Sequence, residues 1–143
     1  MIALDTNILL YAHAAAAPEG RTARAALDRA ARDPGGWGVA FPVLAEFWSV
    51  ATAPASPLRS SPEIAAAFLA QLENHGARIW RPAPDLAPRL RQAAAALAIR
   101  GRRIFDLQIA LIAQDGGADE LWTHDAAFVT VPGLALCDPL GGD

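Results

Sequence analysis

Short apolar runs alternate with longer helical stretches along the whole chain, and that alternation restricts the possible folds more than any single residue does. The strand candidates are Ile2–Leu4, "WGVAF", "RIW", "ELWT" and "LALC". Asp5, Thr6 and Asn7 are favoured capping types and open a helical turn through Tyr11. Pro18 and Gly20 open "RTARAALDRAARD", where Ala23, Ala26, Leu27 and Ala30 share a face. Pro42 starts "PVLAEFWSVAT", which is apolar almost all round and is expected to be well covered. Ser61 caps a helix over 62–74, and Gly76 is its stop signal. A long alanine-rich helix is expected over 84–99, with Pro88 in its opening turns and a break at Gly101. "IFDLQIALIAQD" is a further helix, closed by Gly116 and Gly117.

Strands alternating with helices imply a mostly parallel sheet with right-handed crossovers and helices on both faces, an α/β sandwich. In such folds the ligand crevice lies beyond the carboxyl ends of the strands. Asp5 and Asp125 both fall just after strand candidates.

The 143 residues suit one domain, 1–143, able to bury roughly two thirds of the surface of the unfolded chain. No apolar run approaches the ~20 residues needed to cross a bilayer, so no membrane partner is expected. Asp5 and Asn7 interrupt the first apolar stretch and no basic segment precedes it, unlike a secretory leader; a cytoplasmic location is expected. Cys137 is the only cysteine, which excludes an internal disulfide and a cysteine cage for zinc. His13, His75 and His124 lack paired ligand spacing. The net charge of −3 argues against a generally basic nucleic-acid coat, although all twelve basic residues are arginine and several are clustered.

Four carboxylates stand out by position. Asp5 ends the first strand, Glu46 interrupts the apolar third helix, Asp106 opens "IFDLQIALIAQD", and Asp125 follows "LWTH". Asp5 and Asp106 also suit helix caps and Asp125 a turn, whereas a carboxylate flanked by Leu44, Ala45, Phe47 and Trp48 is seldom idle. If the fold gathers them, each like-charged pair ~5 Å apart repels by about 3 kcal/mol at an effective dielectric near 20. Such a cluster needs a cation or protonation. Oxygen donors suit a hard divalent ion, Mg²⁺ or Mn²⁺.

"IALDTNILLYA", "FPVLAEFWSVAT" and "FDLQIALIAQDGGADELWTHDAAF", together with the terminal strand, resemble a PIN domain, and more closely the ribonuclease toxins of VapC type. The resemblance covers essentially the whole chain and implies a PIN-like three-layer sandwich with a central, mostly parallel sheet. It also implies an Mg²⁺- or Mn²⁺-dependent endoribonuclease in which Asp5, Glu46, Asp106 and Asp125 are catalytic. Asp5, Asp106 and Asp125 would hold the metal, and Thr6, Asn7 and Thr123 would orient carboxylates or waters. Many relatives carry an acid where this chain has Ala127, before Phe128, which puts a second metal in doubt. A homodimer, an RNA substrate and a cognate VapB-like antitoxin are the implied partners.

An acidic site needs cations at its rim to receive RNA. Arg102 and Arg103, just before Asp106, are the candidates for binding substrate phosphate; Arg21, Arg24, Arg29 and Arg32 form a second stripe or a solvated face. Trp37, Trp48, Trp80, Trp122 and Phe128 read as core residues, and His124 as a surface-loop residue. A phosphatase of the haloacid-dehalogenase type would need a second Asp where Asn7 stands. A non-catalytic PIN scaffold that binds RNA or protein is the other alternative.

Overall fold

The computed structural model describes residues 1–141; the last two positions of the expected domain lie outside the described residues. In chain order the elements are β1 (Ile2–Leu4), α1 (Thr6–His13), α2 (Gly20–Ala31), β2 (Trp37–Ala40), α3 (Phe41–Ala51), α4 (Pro62–Asn74), β3 (Arg78–Trp80), α5 (Leu86–Ala96), α6 (Arg103–Asp115), β4 (Glu120–Trp122) and β5 (Ala135–Cys137). The strands form one sheet in the order β3-β2-β1-β4-β5, and every pairing is parallel.

This order explains where a site can form. From β1 the chain steps outward through β2 to β3, then returns across the sheet to place β4 on the other side of β1. Right-handed crossovers put the helices of the outward path on one face and α5 and α6 on the other, giving the three-layer α/β sandwich. The strand order reverses between β1 and β4, and their carboxyl ends diverge into a crevice there. Asp5 sits at that mouth, its backbone N–H bonded to the Trp122 carbonyl at 3.0 Å.

The core is continuous and holds both aliphatic and aromatic side chains. Leu4, Ile8, Leu9, Val39, Val43, Phe47, Leu107, Ile112 and Leu121 are fully buried. Helix α6 buries Leu107 and every position from Ile109 to Ala113, so its polar opening turn is anchored by the apolar turns behind it. The sheet is tightly drawn at Gly38, where an added Cβ would overlap the Arg78 carbonyl of the neighbouring strand.

Two expectations need correction. Helix α3 is not covered all round: Val43, Phe47 and Ala51 are buried at helical spacing, while Phe41 is 52% and Trp48 38% exposed, along with Val50. Trp48 therefore departs from the other tryptophans, which are core residues as expected, as is Phe128. The helix expected over 84–99 is shorter. Leu86 N–H bonds the Ala83 carbonyl, closing a turn before the helix. At the other end Ala98 takes φ 52°, with Ile99 N–H bonding the Ala94 carbonyl and Ala98 N–H the Ala95 carbonyl. That is a Schellman termination with alanine in the left-handed place that glycine favours. Ala98→Gly is expected to stabilise the protein by about 1 kcal/mol by removing the Cβ clash; thermal melts of the two proteins check it, and an unchanged or lower midpoint would contradict the strain.

Candidate active site

Asp5 is placed by secondary structure before any chemistry is asked of it. It ends β1 and caps α1, accepting from the Thr6 N–H at 2.7 Å through Oδ1. Its Oδ2 accepts from Thr123 Oγ1 at 2.6 Å and Asn7 Nδ2 at 3.1 Å. At 7% exposure it is otherwise shut off from water. Burial is the largest influence on its proton affinity and pushes the pKa up to about 6; the Thr123 and Thr6 hydrogen bonds oppose it, and the nearby charges of Glu46 and Asp106 reinforce it. Three donors thus fix the carboxylate without neutralising it.

Thr6 joins two acids. Its N–H goes to Asp5 and its hydroxyl donates to Glu46 Oε2 at 2.7 Å, tying α1 to α3. Thr123 is the corresponding junction on the β4 side. Its hydroxyl donates to Asp5 and accepts from Asn7 Nδ2 and from the Asp125 N–H, both at 3.1 Å. Asn7 also accepts from the His124 N–H through Oδ1 at 3.1 Å, which holds the loop after β4 against α1.

Asp106 and Asp125 meet through a cation already present in the chain. Arg103 Nη1 donates to Asp106 Oδ2 at 3.0 Å and to Asp125 Oδ2 at 2.7 Å. The arginine holds the Asp125 carboxyl below the usual carboxylate range, against partial burial and with help from the Ala127 N–H. The turn role considered for Asp125 is thus also present. Glu46, Arg102, Arg103, Phe105, Asp106 and Asp125 line one polar pocket, in which the Arg102 guanidinium lies 5.9 Å from the Phe105 ring centroid. A more apolar cleft lined by Leu27, Trp37, Phe68 and Leu72 lies elsewhere, and no member of the acidic set reaches it.

All nine residues singled out from sequence therefore fall in one connected region: the acids and their hydroxyl and amide supports share hydrogen bonds, and both arginines line the pocket. Sequence reasoning missed that Arg103 is bound to the acids themselves, although its i,i+3 spacing from Asp106 was a visible signal. It also missed Asp138, which pairs with His124 Nδ1 at 3.0 Å. Of the other arginines, Arg29 lies over the Trp122 ring, 5.4 Å from its centroid, and Arg24 reaches the Ala12 carbonyl, so part of that stripe serves the fold.

The donor set suits a hard divalent cation: every candidate ligand is a carboxylate oxygen, and Asp5 is a buried anion beside two like charges. Among the described residues, no three histidine, cysteine or acidic side chains are gathered closely enough to hold a metal by themselves; Mg²⁺ commonly takes one or two carboxylates and completes its shell with water and phosphate oxygens. No helix among the described residues is long and apolar enough to cross a membrane.

A family model described as the PIN domain matches residues 2–134. The chain belongs to the PIN-domain family. Among solved structures it is similar to that of Mycobacterium tuberculosis VapC20, described as a sarcin-ricin loop cleaving toxin. The TM-score is 0.70 over 90% of this chain and 92% of that one, at 18% sequence identity, a likeness of fold. No curated protein matches the chain.

Proposed function

We propose that this chain is a metal-dependent endoribonuclease of VapC type, the toxin of a type II toxin–antitoxin pair, hydrolysing RNA phosphodiester bonds in the cytoplasm. One observation carries the reading: Asp5, fully supported by three donors, keeps a carboxylate beside Glu46 and Asp106 in a fold of the PIN family. Acids held this close are costly to the fold unless a cation uses them.

Asp5, Asp106 and Asp125 would hold Mg²⁺ or Mn²⁺. When bound, such an ion withdraws charge from a phosphodiester oxygen and makes water a stronger acid. Glu46, one oxygen of which is fixed by Thr6, takes the proton of the attacking water while the water oxygen bonds to phosphorus; the bridging P–O bond breaks with its electron pair leaving on the ribose oxygen, which takes a proton from solvent. Thr6, Asn7 and Thr123 keep the acids in register. Arg102 and Arg103 line the same pocket and supply positive charge to the incoming phosphate. The exposed Phe41, Trp48 and Val50 of α3 offer apolar surface for a homodimer. A VapB-like antitoxin would act by covering the acidic pocket.

The reading is tested by incubating the purified protein with structured RNAs, including ribosomal RNA, in Mg²⁺ or Mn²⁺ and mapping new ends. Discrete cuts that vanish with chelator are expected. Intact RNA under every divalent condition would reject the nuclease and favour a non-catalytic scaffold.

A further inference from the structure

We propose that Arg103 is a tethered counter-ion that competes with the metal for Asp106 and Asp125, so that the resting chain carries its own plug; this inference rests on the nuclease reading above. The geometry is that of a point cation, not of phosphate recognition. A single nitrogen, Nη1, lies between two carboxylate oxygens, 3.0 Å from one and 2.7 Å from the other, where a guanidinium gripping a carboxylate commonly uses two parallel bonds. Arg103 begins α6, and its side chain reaches Asp106 three residues further along the helix. The two acids come from different segments, 19 positions apart by their numbers, and the arginine bridges them, while the Val129 N–H also reaches Asp106 Oδ2 at 3.4 Å.

Asp106 also lies near enough to Asp5 for its charge to raise the proton affinity of that carboxyl. The Oδ2 atoms of Asp106 and Asp125 already face one point, but that point is held by nitrogen at hydrogen-bonding distance, whereas Mg²⁺ draws oxygens to about 2.0–2.1 Å. Metal entry therefore requires the guanidinium to leave. It can do so at little cost, because the Arg103 side chain is 43% exposed and its pairs are correspondingly screened. Once displaced, it remains tethered at the mouth of the pocket beside Arg102, where it faces incoming phosphate. One residue thus serves the resting and the loaded states in turn.

Competition of this kind has a definite signature. If the closed arrangement is occupied about nine parts in ten, apparent metal affinity falls about tenfold below that of the unplugged site. The experiment measures Mn²⁺ binding to the full chain by electron paramagnetic resonance, comparing wild type with Arg103→Gln and Arg103→Met, and with Arg100→Gln as a control for the same change in net charge. Both Arg103 variants are expected to bind Mn²⁺ about tenfold more tightly, with Arg100→Gln unchanged, while RNA cleavage per bound metal falls in the Arg103 variants for want of a phosphate contact. Equal or weaker Mn²⁺ binding in Arg103→Gln and Arg103→Met, with wild type binding normally, overturns the plug and leaves the nuclease reading intact. Equal tightening in Arg100→Gln would also overturn it, since net charge would then explain the effect. Absence of Mn²⁺ binding in every protein, wild type included, overturns the nuclease reading and this inference with it. Thermal melts in chelator confirm that the variants are folded.

Discussion

Asp5→Asn is expected to lower RNA cleavage by about a hundredfold or more, the scale lost when a preorganised charge is removed from a reacting centre, and to change how stability depends on pH. The folded carboxyl has its pKa near 6 against an ordinary value of 3.8. Between those values the folded protein holds a proton that the unfolded chain has released, so the metal-free protein loses stability as pH rises from about 4 to about 6. Above that window the accumulated loss is about 3 kcal/mol from this one group. Asp5→Asn removes that slope, though asparagine cannot accept from all three donors, so its absolute stability at neutral pH rises by less. His13 acts in the opposite direction. Burial lowers its pKa from 6.5, so its contribution is lost as pH falls below that value; the difference between wild type and Asp5→Asn isolates the carboxylate. Denaturation midpoints in chelator between pH 4 and 7 check this, and parallel profiles for the two proteins would rule out the raised proton affinity.

Phe47→Ala should cost about 3–5 kcal/mol, the usual range for emptying a buried phenylalanine site. Phe47 is fully buried, its ring stacked on Phe68 at 5.1 Å between centroids and edge-on to His13 at 5.3 Å. Against a total stability of about 5–15 kcal/mol this is a large fraction, and a fall in melting temperature of roughly 10 °C is expected. Cleavage should fall while the chain is still folded, because Glu46 is the adjacent residue on α3 and depends on that anchor for its reach to Thr6. A midpoint within a few degrees of wild type would mean that the cavity collapses and that α3 is held by other contacts.

Much of this was readable from the chain because the signals were local. The strand cores are short apolar runs bounded by turn residues, and Asp5, Ser61 and Gly117 mark helix boundaries by side-chain chemistry or by backbone permissiveness. The early end of α5 was not readable, since its stop signal is an alanine forced into the left-handed region by the turn around it. The surplus of apolar surface on α3 was visible in its sequence, but not which of its residues would stay open, because periodicity tells which residues are apolar and not what lies opposite them. At the site, the residue types announced an acidic, oxygen-donor centre. The pairing of Arg103 with Asp125 depends on how the loop after β4 folds back over α6, which no local pattern encodes.

The saturated hydroxyl of Thr123 has a consequence for how such a centre tolerates change. One atom completes the bonding of Asp5, Asn7 and the backbone of Asp125 at once, leaving no spare capacity to absorb a replacement at any of them. Positions 5, 7 and 123 should therefore behave as a single heritable unit whose combined substitutions cost little more than the first, so that drift away from this chemistry would proceed in one abrupt step and not by gradual erosion.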